Sequence, residues 1–389
     1  MKSKVLKLQM VVSLLYVITL PSNDLIVKLL GYLFIVLSLA LPFDLLLCSG
    51  GKLNKKQTNL IVALLIITIL NSIPSGLNLN SSEWEEAIKA FISFFSFLLA
   101  ISVTAVECND SDIAFYFVIN RLLSCVYILY TVLPFSFRYV SINDYGGIQF
   151  TLSMGNPNAT ATRVMFCVCL LLIQLVYLKG FWSKAFNFIL IAGLTYTLVM
   201  LQCRAAFLCC IIGAVLMLFK TKMNAKFLNV AWLIPVVFIA LQLVIENVPE
   251  LLLLNKSLMT GREEMYSDYI YEISLFPEKF VFGSFINNRF GNLHNILFSI
   301  LYNTGIIGII LYLCYWRIEH KQVAEPGRNR LVNIATICLF MFIMQSSAES
   351  ATMSGALSYG FMVVLLCRLR KDSISVAVDL KKQEDESLR

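Results

Sequence analysis

A succession of apolar runs constrains this chain more than any other feature, because each run is close to the length of a membrane-spanning helix. About 20 apolar residues are needed to cross the hydrocarbon core of a bilayer. Of the 389 residues, 58% are hydrophobic and only 14% are charged, whereas a soluble domain carries about 25% charged residues. The pattern predicts an all-α polytopic membrane protein with about twelve transmembrane helices, near residues 8–21, 25–48, 58–74, 87–106, 113–134, 160–178, 186–202, 204–219, 227–245, 294–316, 331–347 and 350–367.

The connections between the apolar runs predict the orientation, because Lys and Arg are enriched on the cytoplasmic side of a membrane. Beginning with the N-terminus, alternate connections are basic, with one acidic exception at 107–112, and the connections between them are mainly acidic. Twelve helices with both termini in the cytoplasm fit this distribution best. Residues 1–371 then form one transmembrane helical domain, and residues 372–389, charged and mixed in sign, are predicted to be a disordered cytoplasmic tail.

Composition also excludes several kinds of partner and cofactor. The formal net charge of +7 follows the predicted topology rather than a basic patch, so nucleic acid is not a predicted partner. The two histidines and eleven cysteines include no Cys-x-x-Cys pair with zinc spacing, so neither a metal nor another cofactor is predicted. Five cysteines lie inside or beside apolar runs, where Cys behaves as a small hydrophobic residue: Cys167, Cys169, Cys203, Cys209 and Cys210.

The longest polar connection, residues 246–293 between the ninth and tenth runs, is predicted to lie at the outer face. Within it, Thr260 with Glu263 three residues later matches the capping pattern at the start of a helix. Arg262 is unfavourable at that position because the N-terminus of a helix carries a partial positive charge. This mismatch favours a functional role for the arginine. His294 comes directly after this connection and opens the tenth run.

The predicted topology brings four arginines to the outer face: Arg138, Arg163, Arg204 and Arg262. Arg204 stands in a connection so short that its side chain lies close to the hydrocarbon, where charges are costly and are kept mainly for a protein interior or a ligand. The alternative for Arg204 is a guanidinium that reaches the lipid phosphates as a simple hairpin cap. Away from this face, Arg121 lies midway in the fifth run and is predicted to pair with a neighbouring helix or to snorkel inward.

These residue types suit an anionic, lipid-linked substrate. Arginine binds phosphate and diphosphate groups through paired hydrogen bonds and stays charged near a membrane. A sugar hydroxyl that attacks such a donor needs a base, and histidine as a residue type is suited to that role. His294 is the predicted base, with Glu263, Glu264 and Asp268 as rivals, whereas His320 is predicted to lie in a basic inside loop without a role. No Asp-x-Asp motif appears at the outer face, so a metal-dependent mechanism is not indicated.

Four sequence features, taken in order, resemble the O-antigen polymerase and ligase superfamily of bacterial envelope enzymes. They are Arg204 with Leu208 four residues later, Thr260-Gly261-Arg262, the Phe-Val-Phe-Gly segment at 280–283, and His294-Asn295 followed by Gly305. The resemblance extends from about Tyr145 to Gly308, and the layout of about twelve spans agrees over the whole chain. The chain departs from the family at Met265-Tyr266, because members often have a tryptophan a few residues after the Gly-Arg pair.

The resemblance implies a metal-independent glycosyltransferase of the GT-C type in the bacterial inner membrane. Such enzymes take a glycan from undecaprenyl diphosphate at the periplasmic face and transfer it to a sugar hydroxyl with inversion. Residues 246–293 then form one large periplasmic loop between spans nine and ten. By the resemblance, Arg262 and His294 are the catalytic residues, Arg204 and Arg262 bind the diphosphate, and His294 positions or deprotonates the acceptor. The predicted topology adds Arg163 to the diphosphate site, and Arg138, Asn158, Glu263 and Asn295 as candidate acceptor or donor contacts.

Two activities of the superfamily fit the chain: a polymerase that joins lipid-linked repeats, and a ligase that transfers the glycan to lipid A-core. The segments 155–158 and 258–262 look more like polysaccharide polymerases, and a polymerase is therefore favoured, whereas the Arg-x3-Leu and His-x10-Gly spacings fit ligases. By composition, residues 155–158 form a turn, and Asn158 or Thr160 is predicted to cap the sixth span.

A glycolipid flippase or another transporter is the alternative from a different class. Transporters place their binding residues near the bilayer midplane. The polar residues of this chain, apart from Arg121, concentrate at the predicted outer face, which favours an enzyme. The predicted partners are an undecaprenyl-diphosphate-linked oligosaccharide, membrane lipid, a chain-length regulator and a flippase.

Overall fold

The computed structural model describes the chain in separate stretches. These are residues 4–19, 25–33, 110–133, 140–142, 148–150, 157–178, 180–219, 223–244, 252–253, 256–257, 262–284, 293–324 and 330–349, with scattered positions between 36 and 70. The predicted third, fourth and twelfth spans and the predicted tail at 372–389 lie wholly or mostly outside the described residues.

The described chain is helical except for two hairpins of two strands each. The helices with defined ends are α1 (Lys4–Thr19), α2 (Asp110–Val132), α3 (Pro157–Tyr177), α4 (Phe181–Met200), α5 (Arg204–Leu218), α6 (Ala225–Ala231), α7 (Leu233–Val244), α8 (Arg262–Leu275), α9 (Pro277–Phe282), α10 (Ile296–Ala324) and α11 (Arg330–Ala348). Residues 25–33 are helical as well. The strands are β1 (Val140–Ile142), antiparallel to β2 (Ile148–Phe150), and β3 (Leu252–Leu253), antiparallel to β4 (Lys256–Ser257).

Four helical stretches are long and apolar enough to cross a membrane, judged by length and composition. They are Ala114–Val132, Thr160–Tyr177, Phe181–Met200 and Ile296–Ile318. Shorter apolar helices cover Lys7–Thr19, Arg204–Leu218, Ala225–Leu241 and Thr336–Ala348. The prediction of a helical protein with apolar helices of membrane-spanning length is confirmed for these stretches.

The main core lies around α3 and α11. Of the apolar stretch of α3, 72% is buried inside the protein, and its residues Val164, Met165 and Phe166 are inaccessible. In α11, Met341 and Phe342 are equally inaccessible. The five cysteines that the sequence places among apolar residues are all buried in this core, which confirms that they act as small hydrophobic side chains.

The ninth predicted run, 227–245, forms two helices rather than one. Helix α6 ends at Ala231 and α7 begins at Leu233. Pro235 explains the break, because a proline ring clashes with the carbonyl four residues earlier, here that of Ala231, and has no N–H to donate to it. The predicted run is therefore one apolar helical stretch that is interrupted at Trp232.

Helix α10 is folded sharply at Gly305, whose backbone is not helical (φ 68°, ψ −171°). A Cβ atom built on Gly308 would lie 3.5 Å from Cγ2 of Ile300, although residues eight apart in a straight helix are separated by about 12 Å. The arm 296–304 therefore turns back against the arm that begins at residue 306. The tenth predicted run, 294–316, is helical, but it is not one straight span.

Helix α10 also extends beyond the tenth predicted run, as far as Ala324. His320 is therefore part of a helix and fully buried, and its predicted place in a loop is wrong. Its Nδ1 atom lies 2.8 Å from Oδ1 of Asn229 on α6, and its ring lies beside that of Trp316, with centroids 5.8 Å apart. Burial lowers the pKa of His320 to about 3, so the ring is neutral near pH 7 and donates its Nδ1 hydrogen to the amide oxygen.

Arg121, the charge midway in the fifth run, pairs with a neighbouring helix. Its Nε atom donates to Oδ1 of Asn187 on α4 at 2.9 Å, and its guanidinium lies 5.6 Å from the ring centroid of Phe186. Asn187 in turn donates to Oε1 of Gln174 on α3 at 3.3 Å. Of the two predicted alternatives, pairing is the one that the structure contains.

Candidate active site

Asn295 joins the start of α10 to two other helices. Its side-chain oxygen accepts from the backbone N–H of Leu297 at 3.0 Å and of Phe298 at 3.2 Å, which caps the helix. Its amide nitrogen donates to the carbonyl of Pro235 on α7 at 3.1 Å and to that of Ser347 on α11 at 3.0 Å. Both polar atoms of this fully buried amide are used within the protein, which gives Asn295 a structural role, and its predicted substrate contact stays a prediction.

His294, directly before this cap, contacts the carboxylate of Glu349 at the end of α11. Nδ1 of the ring lies 3.1 Å from Oε2 of the carboxylate. The Glu349 side chain is only 3% exposed, whereas that of His294 is 24% exposed. The carboxylate is enclosed by protein and holds a ring that is itself only partly buried, and the two form an ion pair whenever the ring is protonated.

Two contacts define how α11 lies against α3. Nε2 of Gln345 donates to Oγ1 of Thr162 at 2.9 Å. Seven residues away on each helix, Sγ of Cys338 donates to the carbonyl of Cys169 at 3.8 Å. Because the numbers rise along α3 while they fall along α11, the two helices are antiparallel.

Helix α5 also packs antiparallel to α11. Sγ of Cys209 lies 3.9 Å from Oε1 of Gln345. Four residues further along α5, Gly213 packs against the side chain of Met341, which lies four residues earlier on α11. Gln345 therefore touches α3 and α5 together, and α11 runs antiparallel to both.

Extending these two registers by one helical turn predicts which residues share the next level. One turn beyond Gln345 lies Glu349, opposite Asn158 on α3 and opposite residue 205 on α5, next to Arg204 at the start of that helix. The carbonyl of Gln345 accepts from the Glu349 N–H at 3.0 Å, so this turn of α11 is intact. His294 shares the level through its contact with the carboxylate. We name Asn158, Arg204, His294 and Glu349 the terminal layer.

Backbone strain marks the same layer. Within the described stretches, the non-glycine residues with positive φ are Gln202 and His294, each at 51°. The left-handed conformation costs roughly 1–2 kcal/mol for a residue that has a Cβ atom. Gln202 turns the chain from α4 into α5 and so sets the position of Arg204, which is half-buried. Strain that the surroundings maintain is typical of functional sites.

Arg163 lies slightly deeper than the terminal layer. It is five residues beyond Asn158 on α3, about 7 Å along the helix axis. Its guanidinium lies over the ring of Tyr16 on α1, 5.6 Å from the centroid. Its neighbour Thr162 accepts the hydrogen bond from Gln345, so Arg163 is at the same end of the helices as His294.

Helix α9 ends against the fold of α10. The carbonyl of Val281 lies against Gly305, and the backbone of α10 just before the fold lies against Gly283, so a Cβ atom on either glycine would clash. The N–H of Ser284 donates to the carbonyl of Tyr302 at 2.6 Å, where the regular hydrogen-bond pattern of α10 is interrupted. The Phe-Val-Phe-Gly segment and Gly305, which are far apart in the sequence, therefore meet.

Helix α8 begins at Arg262, which confirms the predicted helix start in the large polar connection. Tyr266 packs edge-to-face on Phe298 of α10, with ring centroids 5.0 Å apart. The rival bases Glu264 and Asp268 lie on the exposed side of α8, away from this aromatic contact.

Several predicted site groups lie outside the described part of the chain. They are Arg138, Thr260 and the side chains of Arg262 and Glu263. Their roles stay predictions. Two other residues need a correction: α3 begins at Pro157, so Asn158 and Thr160 lie inside its first turn and do not cap it. Proline suits the first position of a helix.

Glu349 is the site residue that the sequence predictions missed. A signal for it is present, because a single carboxylate stands in the short connection between the eleventh and twelfth predicted runs. A charge so close to hydrocarbon is costly and is kept mainly for a protein interior or a ligand. The argument that singles out Arg204 therefore applies equally to Glu349.

In the described stretches, no group of three or more His, Cys, Asp or Glu side chains could hold a metal ion. No family model, curated protein or solved structure matches the chain. The site is therefore interpreted from its own geometry: an enclosed carboxylate, a histidine oriented by it, and an arginine at the same level.

Proposed function

We propose that the chain is an O-antigen polymerase, a metal-independent inverting glycosyltransferase. It would transfer an undecaprenyl-diphosphate-linked glycan to a sugar hydroxyl of another lipid-linked repeat. The observation that carries the proposal is the contact between His294 and Glu349 in a layer that also contains Arg204. An oriented base and a nearby guanidinium are the two groups that such a transfer needs.

In this proposal the chain has twelve spans in the bacterial inner membrane, with both termini in the cytoplasm. Residues 246–293 form the periplasmic loop, and the terminal layer faces the periplasm, where the lipid-linked repeats are joined. The distribution of basic connections supports this orientation. The position of Arg204 and Glu349 at helix ends supports a site near the membrane surface.

The reaction forms one bond and breaks one bond. The acceptor hydroxyl gives its proton to Nε2 of His294 while its oxygen bonds to the anomeric carbon of the donor. The bond from that carbon to the diphosphate oxygen breaks, and its electron pair leaves with undecaprenyl diphosphate. In this proposal Nδ1 keeps its contact with Glu349 while Nε2 takes the proton, and the carboxylate pairs with the imidazolium that forms.

The leaving diphosphate needs charge neutralisation rather than a proton. Arg204 lies at the level of the base, and Arg163 lies about 7 Å deeper. Guanidinium groups bind such oxygens through paired hydrogen bonds. Arg262 begins α8 and is the third arginine proposed for the diphosphate.

A ligase that transfers the glycan to lipid A-core would use the same groups, because only the acceptor differs. The Arg-x3-Leu and His-x10-Gly spacings, which resemble those of ligases, favour this second function. The lipopolysaccharide profile of a deletion strain separates the alternatives. A single repeat on the lipid core would indicate a lost polymerase, and full chains stranded on the carrier would indicate a lost ligase. Substrate trapped inside the cell would indicate a flippase.

Complementation of that strain tests the site itself. His294→Ala should fail to restore long glycan chains at normal protein levels, because the base is removed. His320→Asn, which changes the other histidine, should restore them. Long chains in the His294→Ala strain would contradict the proposed role of His294.

A further inference from the structure

Helices α8 and α9 form a second packed region beside the main core. On α8, Tyr266, Tyr269 and Ile273 recur at helical spacing and pack toward Phe298 and Tyr302 of α10. The centroids of Tyr269 and Tyr302 are 5.3 Å apart. One face of the α8–α9 segment is therefore fixed to the protein.

The opposite face changes character along the segment. In the first two turns of α8 its exposed residues are polar: Glu264, Ser267 and Asp268. From there to the end of α9, large apolar side chains are between 40% and 65% exposed. We name this set the α8–α9 ridge: Ile270, Tyr271, Leu275, Phe276, Phe280 and Phe282.

A ridge with four aromatic rings is unfavourable in water, because removing apolar area from water contributes about 25 cal/mol per Å². Contiguous exposed apolar surface of this kind marks an interaction site. In membrane proteins, aromatic side chains collect at the interface between lipid and water. Amphipathic helices that lie on a membrane present such a face to the acyl chains and a polar face to water.

The neighbours of the segment identify lipid as the occupant. Helix α8 packs beside α7, and α7 exposes Val236, Val237 and Leu241. Helix α7 belongs to the ninth predicted run, whose exposed apolar side chains face the bilayer if that run spans it. The helix on which the ridge begins therefore packs beside a helix whose own exposed surface is suited to lipid.

Lys279, which lies between the ridge residues Phe276 and Phe280, fits the same environment. The ammonium group of Lys279 lies 4.7 Å from the ring centroid of Phe276 and pairs with the carboxylate of Glu272. Its charge is therefore compensated within the protein, so this lysine does not prevent the neighbouring rings from entering the acyl chains.

We propose that the α8–α9 ridge is inserted into the outer leaflet of the bilayer. The segment then slopes from water, at the polar first turns of α8, into the interface at Phe276, Phe280 and Phe282. The described helical part of the large polar connection, α8 and α9, is thus a surface-bound helical pair. This inference concerns membrane contact and does not depend on which glycan is transferred.

Tryptophan fluorescence in vesicles of brominated phosphatidylcholine tests the insertion, because bromine on the acyl chains quenches only rings that reach them. The probes are the full-length variants Phe280→Trp and, as a matched control at the polar end of α8, Asp268→Trp. Each is compared with the native protein, so that the four native tryptophans are subtracted. In brominated vesicles the emission added by Phe280→Trp should fall by about half or more, and that added by Asp268→Trp should stay unchanged.

Equal quenching of the two added signals, or none for Phe280→Trp, would overturn the proposal; the second result is also the one expected if another protein covered the ridge. If Phe280→Trp does not give a monodisperse protein, Phe282→Trp tests the same ridge. The measurement needs no donor or acceptor, so its failure is distinguishable from failure of the proposed transferase activity.

Discussion

The two histidines of the chain lie toward opposite ends of α10, in opposite surroundings. His294 is partly exposed, and its Nδ1 lies 3.1 Å from the Glu349 carboxylate. His320 is fully buried, and its Nδ1 lies 2.8 Å from the amide oxygen of Asn229. A carboxylate can pair with a protonated ring, whereas an amide oxygen in a buried site suits only the neutral ring. The partner and the exposure, rather than the residue type, separate a candidate base from a structural histidine.

The largest expected effect tests this distinction by activity. His294→Gln should lower the transfer rate by about 10²–10³-fold, within the range of a general base, and Glu349→Gln by about tenfold, because it removes only the group that orients the ring. His320→Asn should keep the native rate. The measurement is turnover of lipid-linked repeats in vesicles that contain the purified protein. Similar losses of turnover in the His294 and His320 variants would contradict the assignment of His294 as a base and His320 as a structural residue.

A second test concerns the fold of α10 that lies between the two histidines. Gly305→Ala should lower the free energy of unfolding by about 1–3 kcal/mol, because the residue has φ 68° and its new methyl group would meet the Val281 carbonyl. The readout is the melting temperature in detergent. The matched control is Gly180→Ala, where φ is −78° and the nearest atom to the new methyl group is 3.9 Å away. A Gly305→Ala variant as stable as this control would contradict the close packing at the fold.

The smallest expected effect concerns pH. Burial lowers the pKa of His320 to about 3, so the unfolded chain binds a proton below about pH 6.5 while the folded chain does not. The stability contributed by the neutral ring is complete above pH 6.5 and is lost as pH falls toward 3, by about 2 kcal/mol at pH 5. The fall in melting temperature from pH 7.5 to pH 5 should therefore be steeper for the native protein than for His320→Asn. An equal fall in melting temperature for the two proteins would contradict the lowered pKa of His320 in the folded chain.

Local patterns predicted the long apolar helices of the described stretches, because an apolar run of about 20 residues specifies a helix without reference to the rest of the chain. The break before α7 could also have been predicted, since Pro235 is visible in the run. The fold at Gly305 could not, because the run stays apolar on both sides and a glycine in such a helix is ordinarily a packing residue. Its conformation depends on α9, which ends against it.

The site was predicted only in part, because its central contact is not local. His294 and Glu349 are 55 residues apart, and a single sequence contains no direct information about which distant side chains meet. The charge argument pointed to Arg204 and His294 separately. Only the registers of α11 with α3 and α5 bring them to one level. The partner of Arg121 could not be predicted for the same reason, because Asn187 is 66 residues away.

The buried cysteines of the core have a practical consequence. Cys167, Cys169, Cys203, Cys209, Cys210 and Cys338 are buried as free thiols, whereas Cys314 is exposed. A fluorogenic maleimide can reach the six buried sulfur atoms only after α3, α5 and α11 separate. The chain thus contains its own reporter of core opening, and a melting curve recorded with such a dye follows the helices that hold the terminal layer together.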